Sequence, residues 1–343
     1  MSEHTTGLAP QLPMTDSRAT RTISSRIQSL LHTHPSLSPL VVLVISAIVF
    51  GLINPRFFNP ENLSIMLQQV AVIGLLALGQ TIIILTAGID LSVGSAMILA
   101  QMVMAGLAIN SGWPVVIALF IGPLVGLATG LVNGVLVTRF NIPPFIGTLG
   151  TLGVFSAIGL LYANGQTLTP KPTSLLVWTG TVLNLGPFNI TTGVLMMLAL
   201  YVVVGFALGR TTWGRHVYAV GDSPEASRLV GIRTSRLLLS VYLVAGVIYG
   251  LAAWVQIGRV GDASTDISST LNLDSITAAV IGGVSLFGGR GLVLGTLFGA
   301  LIVQVFQNGL ALAGVQDLYQ EFAEGLLVIF AVGIDQWIRR VRK

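Results

Sequence analysis

Long apolar runs separated by short polar loops fill the chain from residue 37 onward. A hydrocarbon core of about 30 Å is crossed by roughly 20 helical residues, each adding about 1.5 Å. The runs predict ten spans, at approximately 37–54, 63–88, 91–110, 114–138, 143–163, 192–209, 237–258, 271–288, 291–314 and 319–338. This pattern is typical of an all-α integral membrane protein with about ten transmembrane helices.

The basic residues test this count, because Lys and Arg in short loops stay on the cytoplasmic side. With ten spans and the N-terminus inside, every Lys and Arg except Arg56, Lys171 and Arg259 is cytoplasmic. Without the eighth span, Arg290 and the basic C-terminus would lie outside, and the bias would nearly vanish. We therefore expect a polar cytoplasmic tail over 1–36, a ten-helix membrane domain over 37–338 with a cytoplasmic loop at 210–236, and a basic cytoplasmic C-terminus over 339–343.

Composition agrees with burial in lipid. Hydrophobic residues make up 53% of the 343 residues, charged residues only 9%, and the mean hydropathy is +0.85, whereas soluble domains carry about 25% charged residues. The chain has no Cys, and its four His show no ligand spacing, so we expect no metal site. The net charge of +4 resides in loops that flank the spans rather than on one face, which argues against nucleic acid as a partner.

Glycine rows mark the helix faces expected to pack closely, because small residues let helices approach each other in lipid. Such rows occur in the fourth, fifth and ninth spans: Gly122, Gly126, Gly130 and Gly134; Gly147, Gly150 and Gly153; Gly291, Gly295 and Gly299. We expect these helices inside the bundle. A hinge role during gating is the alternative.

Polar side chains inside the spans are candidates for a translocation path, because each is costly unless it faces the protein interior. Amide groups both donate and accept hydrogen bonds, so they match the hydroxyl groups of a neutral polar molecule without moving charge. The candidates are Gln80, Asp90, Gln101, Asn133, Gln304 and Asn308, with Gln68, Gln69 and Gln307 nearby in the same spans. Hydrogen bonding between helices is the alternative for each amide.

Asp90, in the segment TAGIDLSVGS just before the third span, has two interpretations. As a helix N-cap, its carboxylate would accept N–H groups at the positive end of the helix dipole. As a cation or proton site, it would serve an ion pump. A coupled pump would normally show several buried carboxylates, and the sequence does not indicate them, so we favour the cap.

The loop 210–236 predicts a short helix on the cytoplasmic side. Asp222 or Ser223 can cap it, Pro224 fits the first turn, and Glu225 complements the dipole; Arg228 lies near its C-terminal end and Gly231 can close it. A capped helix on this face is suited to docking in a partner's groove. The alternative is that its Arg residues only obey the positive-inside rule.

A second glycine-rich stretch, GGVSLFGGRG at 282–291, resembles a phosphate-binding loop at first sight. Such a loop requires G-x-x-x-x-G-K-[ST], and Lys171 and Lys343 are the only lysines of the chain. We therefore expect no ATP-hydrolysing site and interpret the stretch as a tight turn between the eighth and ninth spans. Any use of ATP must involve another polypeptide.

Three segments carry a family resemblance: LTAGIDLSVGS (85–95), GRHVYAVGDSPEASRLVGI (214–232) and AAVIGGVSLFGGRGLVLGTLFGALI (278–302). Together they resemble the ribose, xylose, arabinose and galactose permease family of bacterial ABC importers, over roughly 37–340, and ribose-type and fructose-type permeases in particular. The resemblance implies a multi-pass protein of the bacterial inner membrane that transports a monosaccharide. It also implies a permease dimer, a cytoplasmic ATP-binding subunit, a periplasmic sugar-binding protein, and a coupling role for the helix Pro224–Val230.

The resulting expectation is alternating access to a sugar path, driven by the separate ATPase, with no cofactor held by this chain. Outer-loop charges would help to dock the binding protein; they include Glu61, Asp262, Asp266 and Asp317. An ion-coupled secondary sugar transporter is the main alternative, since it would also be polytopic. A channel or receptor-like membrane protein is the other.

Overall fold

The structure, a computed structural model, describes residues 37–265 and 270–341, with side chains up to Ile329. The predicted tail 1–36 lies outside the described residues, as do Asp266 and the side chains of the basic C-terminus. The boundaries predicted for the tail and the C-terminus therefore stay predictions.

Twelve α-helices occupy the described part of the chain. In chain order they are α1 (Leu37–Ile53), α2 (Pro60–Ile84), α3 (Val93–Ile109), α4 (Val115–Thr138), α5 (Pro144–Ala163), α6 (Thr192–Arg210), α7 (Thr212–Asp222), α8 (Pro224–Leu229), α9 (Thr234–Val260), α10 (Leu271–Ile281), α11 (Val293–Leu312) and α12 (Asp317–Val341). Short 3-10 turns lie at Pro55–Phe58 and Leu175–Gly180, and strand β1 (Val182–Leu185) pairs antiparallel with β2 (Phe188–Thr191).

Each of the ten predicted spans contains a helix, which confirms the all-α membrane fold. Six helices, α2, α4, α5, α6, α9 and α11, are long and apolar enough to cross a membrane. The eighth predicted span, 271–288, is shorter than expected, because α10 ends at Ile281 and Gly283 takes a left-handed φ of +88°. Its 11 residues cover about 16 Å, roughly half of a bilayer core.

Glycines bring α4 and α9 into backbone contact. A Cβ added to Gly126 would overlap the carbonyl oxygen of Gly246, and one added to Gly130 would overlap that of Tyr242. A side chain added on α9 would likewise meet the backbone of α4, because a Cβ on Gly250 would lie 2.5 Å from the carbonyl oxygen of Gly122. The predicted packing role of the glycine row in the fourth span is therefore confirmed.

The prediction for the ninth span holds for Gly295 and Gly299 of α11, which lie against the carbonyl oxygens of Gly282 and Ala278. Gly291, the third member of that row, lies before α11, in the loop that precedes the helix.

The prediction for the fifth span holds for Gly147, which is buried, and is wrong for the other two glycines of the row. Gly150 and Gly153 are exposed, and a Cβ on either would meet nothing within 4 Å.

The face of α5 that packs recurs about every fourth position, as helix geometry requires. Its buried members are Gly147, Thr148, Thr151, Phe155, Gly159 and Ala163. Residues that are three positions apart rotate progressively away from that face along the helix.

An apolar surface faces outward around the bundle. Phe120, Leu161, Val202 and Phe206 are between 65% and 76% exposed. Large exposed apolar patches mark membrane or protein contact rather than water. This surface fits the lipid environment that the hydropathy predicts.

Candidate functional site: a polar cavity and a cytoplasmic coupling surface

A polar cavity of about 410 Å³ lies between α2, α3, α9, α10 and α11. Its polar lining consists of Gln69, Gln101, Gln256, Arg259, Asp262, Ser264, Thr270, Asp274, Gln304 and Gln307. Asp262 and Ser264 belong to the loop after α9, so the cavity reaches the outer end of that helix. Volumes of about 300–1,000 Å³ are usual for small-molecule sites.

Gln101 and Gln304, two of the predicted path residues, both line this cavity. The Gln101 Nε2 donates to the carbonyl oxygen of Ser264, and the Gln304 Nε2 donates to the Oε1 of Gln69. Both side chains are buried, with 0% and 3% exposure, and neither Oε1 accepts a hydrogen bond from any described residue. Buried polar atoms normally have partners, so these two oxygens need an explanation.

Charged side chains also line the cavity. Asp274, in the first turn of α10, is 4% exposed; its Oδ2 accepts hydrogen bonds from Gln307 Nε2 at 3.2 Å and from Thr270 Oγ1 at 3.3 Å. The Arg259 Nε donates to the Gln256 Oε1 at 3.3 Å. The expectation of a chain without several buried carboxylates is therefore wrong, because both Asp90 and Asp274 are buried. Asp274 is not among the predicted site residues, although it lies inside the predicted eighth span, where a carboxyl group indicates a functional site.

A second polar cluster surrounds Asp90. Its Oδ1 accepts from the Ser92 N–H at 2.8 Å and from the Ser92 Oγ at 2.6 Å. The Nδ2 of Asn133 donates to the Ser92 Oγ at 2.8 Å and lies 3.5 Å from the Asp90 Oδ2, while the Thr151 Oγ1 donates to the Asn133 Oδ1 at 2.6 Å. The Gln80 amide faces the backbone of Asp90, with its nitrogen 3.1 Å from the carbonyl oxygen and its oxygen 3.2 Å from the N–H when oriented to satisfy both.

This network corrects the predicted cap at Asp90. Ser92, not Asp90, is the N-cap residue of α3, and it makes no side-chain capping bond. Asp90 instead closes a turn of Asx type two residues upstream, where it accepts the Ser92 N–H. The N–H of Gly94, one of the orphan donors of α3, is accepted by the Asn272 Oδ1 of α10 at 2.7 Å.

The six predicted path residues therefore lie in three different environments. Gln80, Asp90 and Asn133 hold the irregular segment 85–92 between helices and do not line the cavity. Asn308 pairs with Asn62 through hydrogen bonds of 2.9 Å, which is the interhelical alternative. Gln101 and Gln304 remain as candidates for contact with a transported molecule.

The Asp90 network predicts a stability effect. Asp90→Leu will leave the Ser92 N–H and hydroxyl without an acceptor, which costs about 1–3 kcal/mol per unsatisfied buried group. Asp90→Asn keeps an acceptor oxygen at the same place and will cost less. Thermal unfolding of the two variants in detergent measures the difference, and equal midpoints for Asp90→Leu and the parent chain would remove the structural role.

The cytoplasmic loop holds two helices rather than one. The predicted short helix is α8: Ser223 is its N-cap and accepts the Ala226 N–H at 3.3 Å, and Pro224 occupies its first turn. Gly231 follows it with a φ of +90°. Asp222 does not cap α8, because it is the last residue of α7, a helix that the sequence analysis missed.

The exposed surface of α8 is suited to a protein partner. Glu225 and Arg228 are exposed, and the Arg228 Nε donates to the Thr234 Oγ1 at 3.0 Å, which ties α8 to the start of α9. Leu229 and Val230 are 90% and 78% exposed, although they lie outside the spans. Apolar side chains exposed beside charged ones outside the spans make this surface a candidate for a protein contact.

The C-terminal end of α7 contacts the membrane domain. A Cβ on Gly221 would overlap the carbonyl oxygen of Leu85 and lie 2.5 Å from the Gly289 nitrogen. The Gly289 N–H donates to that same Leu85 oxygen at 2.9 Å, and the Tyr218 hydroxyl donates to the Gly291 carbonyl oxygen at 2.9 Å. Burial raises the pKa of the Tyr218 phenol, so it stays a donor. The loop 282–292 thus joins α7 to α10, which bears Asp274.

Comparison with known proteins gives a consistent result. The family described as branched-chain amino acid transport system / permease component matches residues 62–332. The fructose import permease protein FrcC of Rhizobium meliloti is 44% identical over 94% of this chain and 91% of its own length. The ribose import permease protein RbsC of Bacillus subtilis is 36% identical over 88% and 92%. The autoinducer 2 import system permease protein LsrC of Yersinia enterocolitica is 32% identical over 88% and 82%, and no solved structure matches.

Proposed function

We propose a function from one premise: the chain belongs to the permease family described as branched-chain amino acid transport system / permease component, and it is a multi-pass inner-membrane subunit of an ABC importer. The proposal is that it carries a monosaccharide such as fructose or ribose into the cell. Relatives with those substrates in their names cover about nine-tenths of the chain, and the many amide and hydroxyl groups of the cavity lining support a hydroxyl-rich cargo.

Partners of two kinds follow from the family, namely an ATPase and a binding protein. We propose that the ATPase is a separate cytoplasmic subunit and docks on α8, through Glu225, Arg228, Leu229 and Val230. Ser223, Pro224 and Gly231 would shape this helix, and Asp222 would join it to α7. This chain would then hold no cofactor of its own, because ATP is bound by its partner.

Two further partners are proposed on the outer side and in the membrane. A second copy of the chain would complete a homodimer, as ABC permeases require two membrane halves to form a path. A periplasmic sugar-binding protein would dock on the outer loops, where Glu61, Asp262 and Asp317 supply negative charge. Lipid would cover the apolar surface that remains outside the dimer contact.

An ion-coupled transporter stays as the second candidate because of one observation, the two buried carboxyl groups of Asp90 and Asp274. Ionisable groups at membrane depth often relay protons. The hydrogen bonds of Asp90 hold a turn, however, and those of Asp274 involve Gln307 and Thr270 beside a cavity of sugar size. An ATPase docked on α8 would cover the exposed Leu229 and Val230, whereas ion coupling supplies no partner for them, and this observation carries the importer proposal.

The test removes the exposed apolar side chains of Leu229 and Val230. We expect the double variant Leu229→Ser, Val230→Ser to lose at least about ten-fold of its co-purification with the ATPase, since buried apolar anchors dominate such interfaces. ATP-driven uptake should fall with it. The matched control is Val202→Ser, Val203→Ser on α6, which also removes two exposed apolar side chains, 71% and 60% exposed. Full binding and uptake in the α8 variant would exclude this docking site.

A further inference from the structure

We infer that the hairpin of β1 and β2 is an interfacial anchor, whose apolar face lies in the outer leaflet of the membrane where headgroups meet acyl chains. Its partner is thus a lipid surface. The inference gives a role to the loop between α5 and α6, which the import proposal does not use. It rests on the membrane fold and not on the cargo.

One face of the hairpin is wholly apolar. Directly opposite residues of two paired strands share a face, and so do residues two apart in one strand. The face on which the register places an apolar residue at every position consists of Leu183, Leu185, Phe188 and Ile190. The mostly polar face on the other side consists of Val182, Asn184, Asn189 and Thr191. The hairpin is therefore amphipathic.

The apolar face is largely uncovered by the described residues of the chain. Leu185, Phe188 and Leu183 are 59%, 41% and 37% exposed, and residues 181–188 are exposed without interruption. Ile190, at the base of the hairpin, packs against the core of the bundle. Exposed apolar patches mark contact with a membrane or a partner. This face therefore requires a cover other than the residues that the structure describes.

The hairpin lies at the outer end of the bundle. The Asn189 N–H donates to the Ser64 Oγ near the start of α2 at 2.9 Å. The opposite end of α2 leads to Leu85, which contacts the cytoplasmic helix α7. Trp178, in the turn before β1, is 45% exposed and stacks on Trp254, with ring centroids 5.7 Å apart. Trp is enriched at membrane–water interfaces, so this turn indicates the depth of the outer headgroups.

Charge and continuity favour lipid over a protein as the cover. Residues 172–209 include no Asp, Glu, Lys, Arg or His, so the hairpin lacks the charges by which a protein partner would be oriented. Strand β2 ends at Thr191 and α6 begins at the next residue. The exposed side of α6 is apolar from its first turns, since Leu195 and Leu198 are 48% and 41% exposed. The hairpin is thus joined directly to a lipid-facing helix, with no charged residue between them.

Side-chain hydrogen bonds fix the base of the hairpin to the bundle. The Thr179 Oγ1 donates to the carbonyl oxygen of Trp254 in α9 at 2.8 Å, and the Thr192 Oγ1 donates to that of Trp178 at 2.6 Å. Helix α6 leads from this base to α7 on the cytoplasmic side. A hairpin held in the outer leaflet would keep the outer end of α6 at a constant depth when α7 moves.

Spin labelling tests the depth of the hairpin directly, because the chain has no Cys of its own. The full-length permease with Leu185→Cys carries a nitroxide in nanodiscs of phosphatidylethanolamine and phosphatidylglycerol, and its collisions with oxygen and with a water-soluble nickel chelate are measured. The matched control is Asn184→Cys, the neighbouring exposed residue on the polar face. We expect the label of Leu185→Cys about 5–10 Å below the headgroup surface, where oxygen dominates, and that of the control in water, where the chelate dominates.

Phe188→Cys repeats the measurement at a second position of the apolar face. Chelate access at both apolar positions equal to that of Asn184→Cys would overturn the inference, because the face would then lie in water. Low access to both reagents would also overturn it, since protein would then cover the face; dipolar broadening between labels would identify that protein as a second copy of the chain. Neither failure touches the import proposal, which depends on ATP-driven uptake by the complete transporter.

Discussion

Gly221→Val will abolish sugar uptake while the permease still binds its ATPase. The new side chain would overlap the carbonyl oxygen of Leu85 and press on Gly289, so α7 must move away from the membrane domain. The exposed surface of α8 would be unchanged, and the ATPase would dock but no longer move the loop 282–292. We expect uptake to fall by at least about 100-fold, as when a rigid contact is displaced by an ångström or more.

The measurement is uptake by vesicles that contain the complete transporter, together with ATP hydrolysis by the same vesicles. Gly209→Val at the cytoplasmic end of α6 is the matched control, because a Cβ there meets nothing within 4 Å. Normal uptake by Gly221→Val would show that this contact transmits no movement. Loss of ATPase binding would instead show that the contact of Gly221 with Leu85 holds the docking surface of α8 in place.

Gly246→Leu will prevent the bundle from assembling. A Cβ at Gly246 overlaps the carbonyl oxygen of Gly126, which is backbone and cannot rotate away. The α4 and α9 helices would have to separate, at a cost above the 1–3 kcal/mol typical of an overpacked core. We expect loss of the monodisperse peak in size-exclusion chromatography in mild detergent.

Gly150→Leu on α5 is the comparison for Gly246→Leu, since a Cβ at Gly150 meets no described atom within 4 Å. It should give near-normal yield. An equal yield for Gly246→Leu would mean that α4 and α9 are not in backbone contact.

The ten helices could be predicted because lipid imposes a simple rule. Every backbone N–H and C=O group must be hydrogen-bonded within the spanning segment, so a run of about 20 apolar residues forms an α-helix. Local capping chemistry was equally readable at Ser223 and Pro224, because a cap depends on neighbours in sequence.

Two other features of the fold could not be predicted from hydropathy. Helix α10 ends at Ile281 although the following residues, Val284 to Phe287, are largely apolar, because the glycines after it turn the chain toward α7. The hairpin of β1 and β2 lies in a loop without a strong alternating pattern, where only pairing with the partner strand defines the strands. Hydropathy therefore predicts neither the end of α10 nor the positions of β1 and β2.

The site could be predicted only in part. Polar residues in a span are expected to face the protein interior, but there they can either line a cavity or pack between helices. Gln101 and Asn133 have the same type of side chain and similar burial, but one lines the cavity and the other closes a network with Asp90. That difference is fixed by helix packing, which sequence spacing does not determine.

The most direct test of the central claim reconstitutes this permease with its ATPase and binding protein in proteoliposomes that hold no ion gradient. Uphill accumulation of fructose or ribose should require ATP on the cytoplasmic face, should survive an uncoupler, and should disappear when the ATPase is left out. Accumulation by the permease alone, driven by an imposed proton gradient and unaffected by ATP, would contradict a sugar importer powered through α7 and α8.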